Sequence, residues 1–269
     1  MTVIHDLIFV YNSLSSERAF HSVIAIILKN LPRIPQMSLE ETAELCNTSV
    51  VTINRLLKQI NCPAFRVFKQ QIADVIHGYG KHNRVFPYSQ KALANGSAIR
   101  FCMGNYLSYL QNNIQDFANQ MDMDQIEAAA DTLYSADDIH VYGLYAASHA
   151  KQQFQMDLMV FGKNYICYGE PSDVSRDSET LGISSAVIAQ VISSYKSYSE
   201  ILPVIKQILE QKVPTIIITS TKTLNNFKGA QCVLTFPGTD TAMDNYFIDI
   251  IFNLICIAYR TKYIDREFE

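Results

Sequence analysis

Apolar positions recur at helical spacing through the first third of the chain and change to short, nearly unbroken apolar runs in its second half. From Leu39 to Ile60 the period is three to four residues. Leu39, Ala43 and Cys46 share one face, and Ile53, Leu56, Leu57 and Ile60 share another beyond Asn47. Ser38 and Ser49 stand where helix N-caps belong, and Glu40 and Glu41 occupy a first turn that the helix dipole favours. Asn47 is one of the few non-glycine residues that tolerate the left-handed backbone of a sharp turn. The pattern predicts two short helices meeting at that turn. Further helices are predicted over 4–14, from Ser16 to Asn30 with Pro32 and Pro35 beyond it, and after Pro63, where Phe65, Val67, Phe68, Ile72 and Val75 form a stripe. Together they make a small all-α domain.

Helical spacing over 105–118 and 124–135 then gives way to five apolar runs: Ile139–Gly143, Tyr165–Tyr168, Ala186–Ile192, Thr215–Thr219 and Cys232–Phe236. Helical stretches at about 146–161, 199–212 and 223–229 separate them, Asp173, Asp177 and Glu179 read as a solvated acidic loop, and a last helix covers about 241–261. Strands alternating with helices imply a parallel sheet covered on both faces. The expected organisation is an all-α helix-turn-helix domain over 1–78, a linker over 79–104, and an α/β doubly wound domain with a five-stranded parallel sheet over 105–269. The last helix is apolar on more than one face between Met243 and Tyr259, so a dimer interface is expected there.

Charge separates the two parts. Residues 1–100 hold 11 Lys/Arg against 6 Asp/Glu, a net +5, whereas residues 101–269 hold 11 against 20, a net −9. The first part suits a polyanion such as DNA and the second does not. The linker adds four cations and no acid between Lys81 and Arg100. Six scattered cysteines form no Cys-x-x-Cys pair, so neither a zinc site nor a disulfide framework is expected. The apolar runs are too short to span a bilayer, and the first residues lack the features of a signal peptide, so a cytoplasmic protein is expected.

Two sets of residues carry candidate chemistry. Val50, Thr52, Asn54, Arg55 and Lys58 face outward on the second short helix, and they supply an apolar contact for a thymine methyl, hydrogen bonds for base edges and cations for phosphates. A helical hairpin with a solvated face has the same spacing. The other set lies in three loops expected at the carboxyl ends of strands, where such sheets bind ligands. These are Gly143 to Ser148, Ser193 to Glu200, and Thr219 to Lys222. Hydroxyls and backbone N–H groups opening helices make anion sites, although serine-rich loops are also good caps. Gly143 lacks the G-x-G-x-x-G pattern of nicotinamide dehydrogenases.

Residues Ser16 to Lys69 resemble the DNA-binding domain of RpiR/MurR-family bacterial transcription regulators. The likeness is carried by Ser16-Glu17-Arg18, Met37-Ser38-Leu39, Ala43-Glu44-Leu45, Ser49, Thr52, Arg55, Phe65 and Phe68-Lys69. Asn47 and Asn61 stand where that family usually has glycine. Residues 105–265 resemble the sugar isomerase (SIS) domain of the same regulators, through Ile192-Ser193, Glu200 and Ile217-Ile218-Thr219. They depart from it at Tyr145, Ala147, Tyr195, Lys196 and Tyr198, where glycine or hydroxyl residues are expected. The resemblance implies a regulator of sugar or amino-sugar metabolism genes. It would contact palindromic operator DNA through Ser38, Ser49, Val50, Thr52, Asn54, Arg55 and Lys58. It would bind a phosphosugar effector through Ser148, Ser193, Ser194, Lys196, Ser197 and Glu200, and assemble as a homodimer or higher homo-oligomer. No catalytic residue, metal, cofactor or membrane is implied. The alternatives are a phosphosugar isomerase-type enzyme and a DNA-binding dimer whose SIS-like domain has lost its ligand.

Overall fold

The computed structural model describes residues 3–12, 18–82, 98–143, 149–169, 171–192, 198–223, 227–239 and 243–264. The chain divides into two compact units, Met1–Asn83 and Arg84–Glu269.

The first unit contains α1 (Val3–Asn12), α2 (Arg18–Lys29), a 3-10 turn at Ile34–Gln36, α3 (Leu39–Leu45), α4 (Val50–Gln59) and α5 (Phe65–His82). Local chemistry sets the α3–α4 hairpin. The Ser38 hydroxyl accepts from the Glu41 N–H at 3.0 Å, and the Ser38 N–H donates to the Glu41 carboxylate at 2.6 Å, a reciprocal cap at the start of α3. Asn47 has φ of 50°, and the Thr48 N–H closes the turn on the Ala43 carbonyl at 2.9 Å. Ser49 then caps α4 by accepting from the Thr52 N–H at 3.2 Å. Asn61 repeats the device at the far end with φ of 51°, bringing the Cys62 N–H to the Leu57 carbonyl. Ile53, Leu56, Leu57 and Ile60 are buried as their spacing predicts, against Ile24, Ile27, Ile34 and Phe68.

The second unit opens with α6 (Ala98–Gln120) and α7 (Met123–Ser135). Strands β1 (Asp138–Tyr142), β2 (Asn164–Tyr168), β3 (Ser185–Gln190), β4 (Thr215–Ser220) and β5 (Cys232–Phe236) form one sheet, all parallel, in the order β2-β1-β3-β4-β5. Between them run α8 (His149–Val160), α9 (Pro171–Ser178) and α10 (Tyr198–Glu210), and α11 (Met243–Tyr263) follows β5. Side chains alternate along each strand. Ile139, Val141, Ile188 and Ile218 pack on the face shared with α7, α8 and α11, while Tyr142, Val187, Ala189 and Ile217 pack against α9 and α10. Both edge strands have a glutamine on their backbone. Gln155 donates to the Tyr165 carbonyl of β2 at 3.0 Å, and Gln125 accepts the Val233 N–H of β5 at 3.2 Å, which covers edges that could otherwise pair with another chain.

Several expectations change. The helices beside the linker are longer than predicted, α5 reaching His82 and α6 starting at Ala98, which leaves 83–97 outside the described residues. Of the helix expected at 223–229, Thr223 ends a 3-10 turn at Thr221–Thr223 and residues 227–229 are not helical, while 224–226 lie outside the described residues. The supposed acidic loop is α9, and Asp177 within it is buried at 8% exposure. The second apolar face of α11 is covered largely by α6, α7 and α8 of the same unit, leaving Tyr246 and Ile257 as its exposed large apolar residues. A more continuous exposed apolar group closes α8: Met156, Met159, Val160 and Phe161. No helix among the described residues is long and apolar enough to cross a membrane.

Candidate functional site

The predicted site residues that the structure describes fall on both units, those of the α3–α4 hairpin on the first and Glu200 on the second. On α4, Asn54, Arg55 and Lys58 are exposed and Thr52 is half-buried. The Thr52 hydroxyl is shared with the cap, 3.0 Å from the Ser49 hydroxyl, and Ser38 is held in its own capping box. Val50, expected outward, packs partly against the core, and the exposed apolar residue is its neighbour Val51, at 67% exposure. The reason is phase: Val50 is the first helical residue, leaning back over the turn, while Val51 faces away from Ile53 and Leu57. The Arg55 guanidinium lies 5.7 Å from the Phe20 ring centroid, a cation–π contact that orients it without burying it. Lys69 donates to the Met37 carbonyl at 2.7 Å, tying α5 to the residue before the α3 cap.

The site expected on the second unit is the carboxyl edge of the sheet. Ser148, Ser193, Ser194, Lys196 and Ser197 lie outside the described residues, as do Tyr145, Ala147 and Tyr195. Glu200 is exposed in the first turn of α10, where the helix dipole accounts for it. The third loop is spent internally. The Thr219 hydroxyl donates to the Val191 carbonyl at 2.6 Å, and the Ser220 hydroxyl bonds that of Thr223 at 2.7 Å. Thr239 donates its N–H and hydroxyl to Asp244, a buried acid opening α11, at 2.8 and 2.6 Å.

Two buried features at this sheet escaped the sequence reading. On the α9 side, His140 places Nδ1 2.8 Å from Asp177 and Nε2 against Asp138, and the Tyr142 hydroxyl donates to Asp177 at 2.5 Å. Burial and then Asp177 push the phenols of Tyr142 and Tyr168 above their ordinary range. The signal was legible: Asp138, His140 and Tyr142 put a polar stripe with period two on a strand that a parallel sheet buries. On the opposite face, Lys151 is 2% exposed on α8, its amine 5.5 Å from the Phe252 ring centroid, and burial pushes its pKa down to about 8. Gln190 ends β3 with neither amide atom hydrogen-bonded. Among the described residues no cluster of His, Cys, Asp or Glu is arranged to hold a metal ion.

Comparison with known proteins bears on fold. No protein-family model and no curated protein matches the sequence. The sugar isomerase domain of an RpiR transcription factor from Sphaerobacter thermophilus matches in structure with a TM-score of 0.50 at 18% identity, covering 60% of this chain and 90% of that one. The Vibrio vulnificus NanR protein complexed with ManNAc-6P matches with a TM-score of 0.51 at 14% identity, covering 98% of this chain and 94% of that one. A phosphoheptose isomerase from Neisseria gonorrhoeae has a TM-score of 0.45 at 12% identity, over 60% and 99% of the two chains. The five-stranded parallel sheet with flanking helices therefore has a SIS-like α/β fold.

Proposed function

We propose that this protein is a DNA-binding transcriptional regulator of sugar or amino-sugar metabolism genes, controlled by a phosphorylated sugar bound at the carboxyl edge of its SIS-like sheet. The observation that carries the reading is the surface of α4. A short capped helix behind a tight turn presents Val51, Asn54, Arg55 and Lys58 to solvent, on a basic all-α unit joined to an acidic SIS-like one. In this reading α4 enters the major groove, Asn54 and Thr52 meet base edges, Val51 meets a thymine methyl, and Arg55 and Lys58 meet phosphate or guanine. Support for the ligand class comes from the fold shared with a complex of ManNAc-6P. A homodimer would bring two α4 helices to the half-sites of a palindrome, and the exposed Met156, Met159, Val160 and Phe161 at the end of α8 are the surface to cover.

Selection of bound fragments from genomic DNA, followed by titration at several salt concentrations, tests this. Lys58→Ala should weaken binding to all duplexes alike and lower the salt slope by about 1, whereas Asn54→Ala should relax preference at one base pair by about 1 to 3 kcal/mol. Failure of the full chain to prefer any duplex over random sequence at moderate salt would remove the reading. A second reading, a DNA-binding dimer without a sugar ligand, is favoured by the Thr219 and Ser220 hydroxyls being engaged within the chain. Absence of any melting shift with millimolar sugar phosphates would select it.

A further inference from the structure

The chain order places β2 on one side of β1 and β3 on the other, so the connections leaving β1 and β3 run to opposite sides of the sheet. Between the ends of such strands lies the crevice in which open α/β sheets take ligands. Gln190, the last residue of β3, stands at this position. It is 3% exposed, and both its Nε2 and its Oε1 lack a hydrogen-bond partner. Its side chain lies across Gly143, the residue following β1, so closely that a Cβ on Gly143 would sit 2.4 Å from Oε1 and 2.7 Å from Cδ. Glycine at 143 is therefore needed to give the amide its place.

Packing does not ask for an amide here. The preceding residues Ala186 to Ala189 are apolar and buried, and Val191 and Ile192 beyond it are buried too. A methionine would fill the same volume. An unpaired primary amide in the interior is instead destabilising, and uncompensated strain or desolvation of this kind collects where a ligand completes the structure. The position, the orphaned amide and the clearance left by Gly143 agree on the same spot.

We infer that Gln190 reads the neutral end of the ligand, taking a group that offers an acceptor beside a donor between the ends of β1 and β3. Nε2 donates to the ligand oxygen while Oε1 accepts from the neighbouring O–H or N–H, so a vicinal pair of hydroxyls or an acylamino group fits. The amide carries no charge and does not select the phosphate. It discriminates among sugar phosphates by what they carry away from the phosphate, and it deepens, and rests on, the sugar-phosphate reading above.

The test is thermal melting of the full-length protein and its Gln190→Met variant, titrated with N-acetylmannosamine 6-phosphate, mannose 6-phosphate and inorganic phosphate. Ligand-free Gln190→Met should melt about 2 to 6 °C higher, because the unpaired amide is gone. Its Kd for the sugar phosphate that shifts the unmodified protein should rise about tenfold or more, with the response to inorganic phosphate unchanged. A preference of the unmodified protein for the N-acetyl compound assigns the partner as the acylamino group, and equal binding of both assigns it as the hydroxyls. Lower melting of ligand-free Gln190→Met would overturn the inference. Unchanged sugar affinity in that variant would overturn the role of Gln190 and leave the sugar-phosphate reading standing. No shift of the unmodified protein by either sugar phosphate would remove that reading and the inference with it.

Discussion

On the sheet face covered by α9 and α10, His140 sits between Asp138 and Asp177, and Asp177 also receives the Tyr142 hydroxyl. On the face covered by α8 and α11, the Gln190 amide has no partner, and the Tyr165 hydroxyl has the Cys167 thiol nearby but no hydrogen bond of ordinary geometry. Both sets belong to one sheet, and His140, Tyr142, Asp177, Gln190 and Tyr165 are all buried, so the difference lies in satisfaction and not in depth. A satisfied network can hold elements together: α9 contributes Asp177, and through it the helix is fastened to β1. An unsatisfied group adds nothing to the fold that an apolar side chain would not add better. Its presence is explained by what it meets later.

The largest way to break this contrast is Asp177→Ala. It leaves His140 and Tyr142 buried with a partner removed, and should cost about 3 kcal/mol or more in chemical denaturation. A loss under about 1 kcal/mol would show that the network does not anchor α9. Next comes Lys151, on the other face. With its pKa at about 8 against an ordinary 10.5, the amine is charged in both folded and unfolded chains below pH 8, and its burial is then most costly. Between about pH 8 and 10.5 the folded form has released the proton that the unfolded form still holds, so this group's contribution to stability improves as pH rises. Lys151→Met should raise stability at pH 7 by roughly 2 to 3 kcal/mol, and the advantage should shrink across that window. An advantage that does not change with pH would contradict a buried titrating amine. The smallest effect is expected for Tyr165→Phe, which deletes a hydroxyl without a proper partner and should change stability by less than about 1 kcal/mol. A large loss there would mean that the hydroxyl is satisfied, and the two faces would no longer differ.

Legibility followed the range of the interactions involved. Ser38, Asn47, Ser49 and Asn61 act on backbone groups within five residues, and the caps and turns they predict are present. The five strands were legible because a parallel sheet buries both faces and leaves unbroken apolar runs. The misreadings share a different origin. Asp173, Asp177 and Glu179 look alike on composition alone, and the pairing with His140, 37 residues earlier, is what distinguishes Asp177, which is buried on a short helix while Glu179 just beyond it stays exposed. Val50 and Val51 are chemically alike, and the angle at which α4 lies on the core decides which of them is exposed. The strand expected to continue to Ile192 ends at Gln190, and it ends there at the edge where the amide matters most.

By itself the amino-acid order determined two units of opposite charge, the helical hairpin with its caps, and the succession of strands and helices, since each rests on neighbouring residues and on period. The tertiary structure decided which buried polar groups have partners. Hydrogen bonding between Asp177 and His140, or the closeness of Gln190 to Gly143, depends on strand order and register, and these place side chains tens of residues apart within a few ångströms of one another.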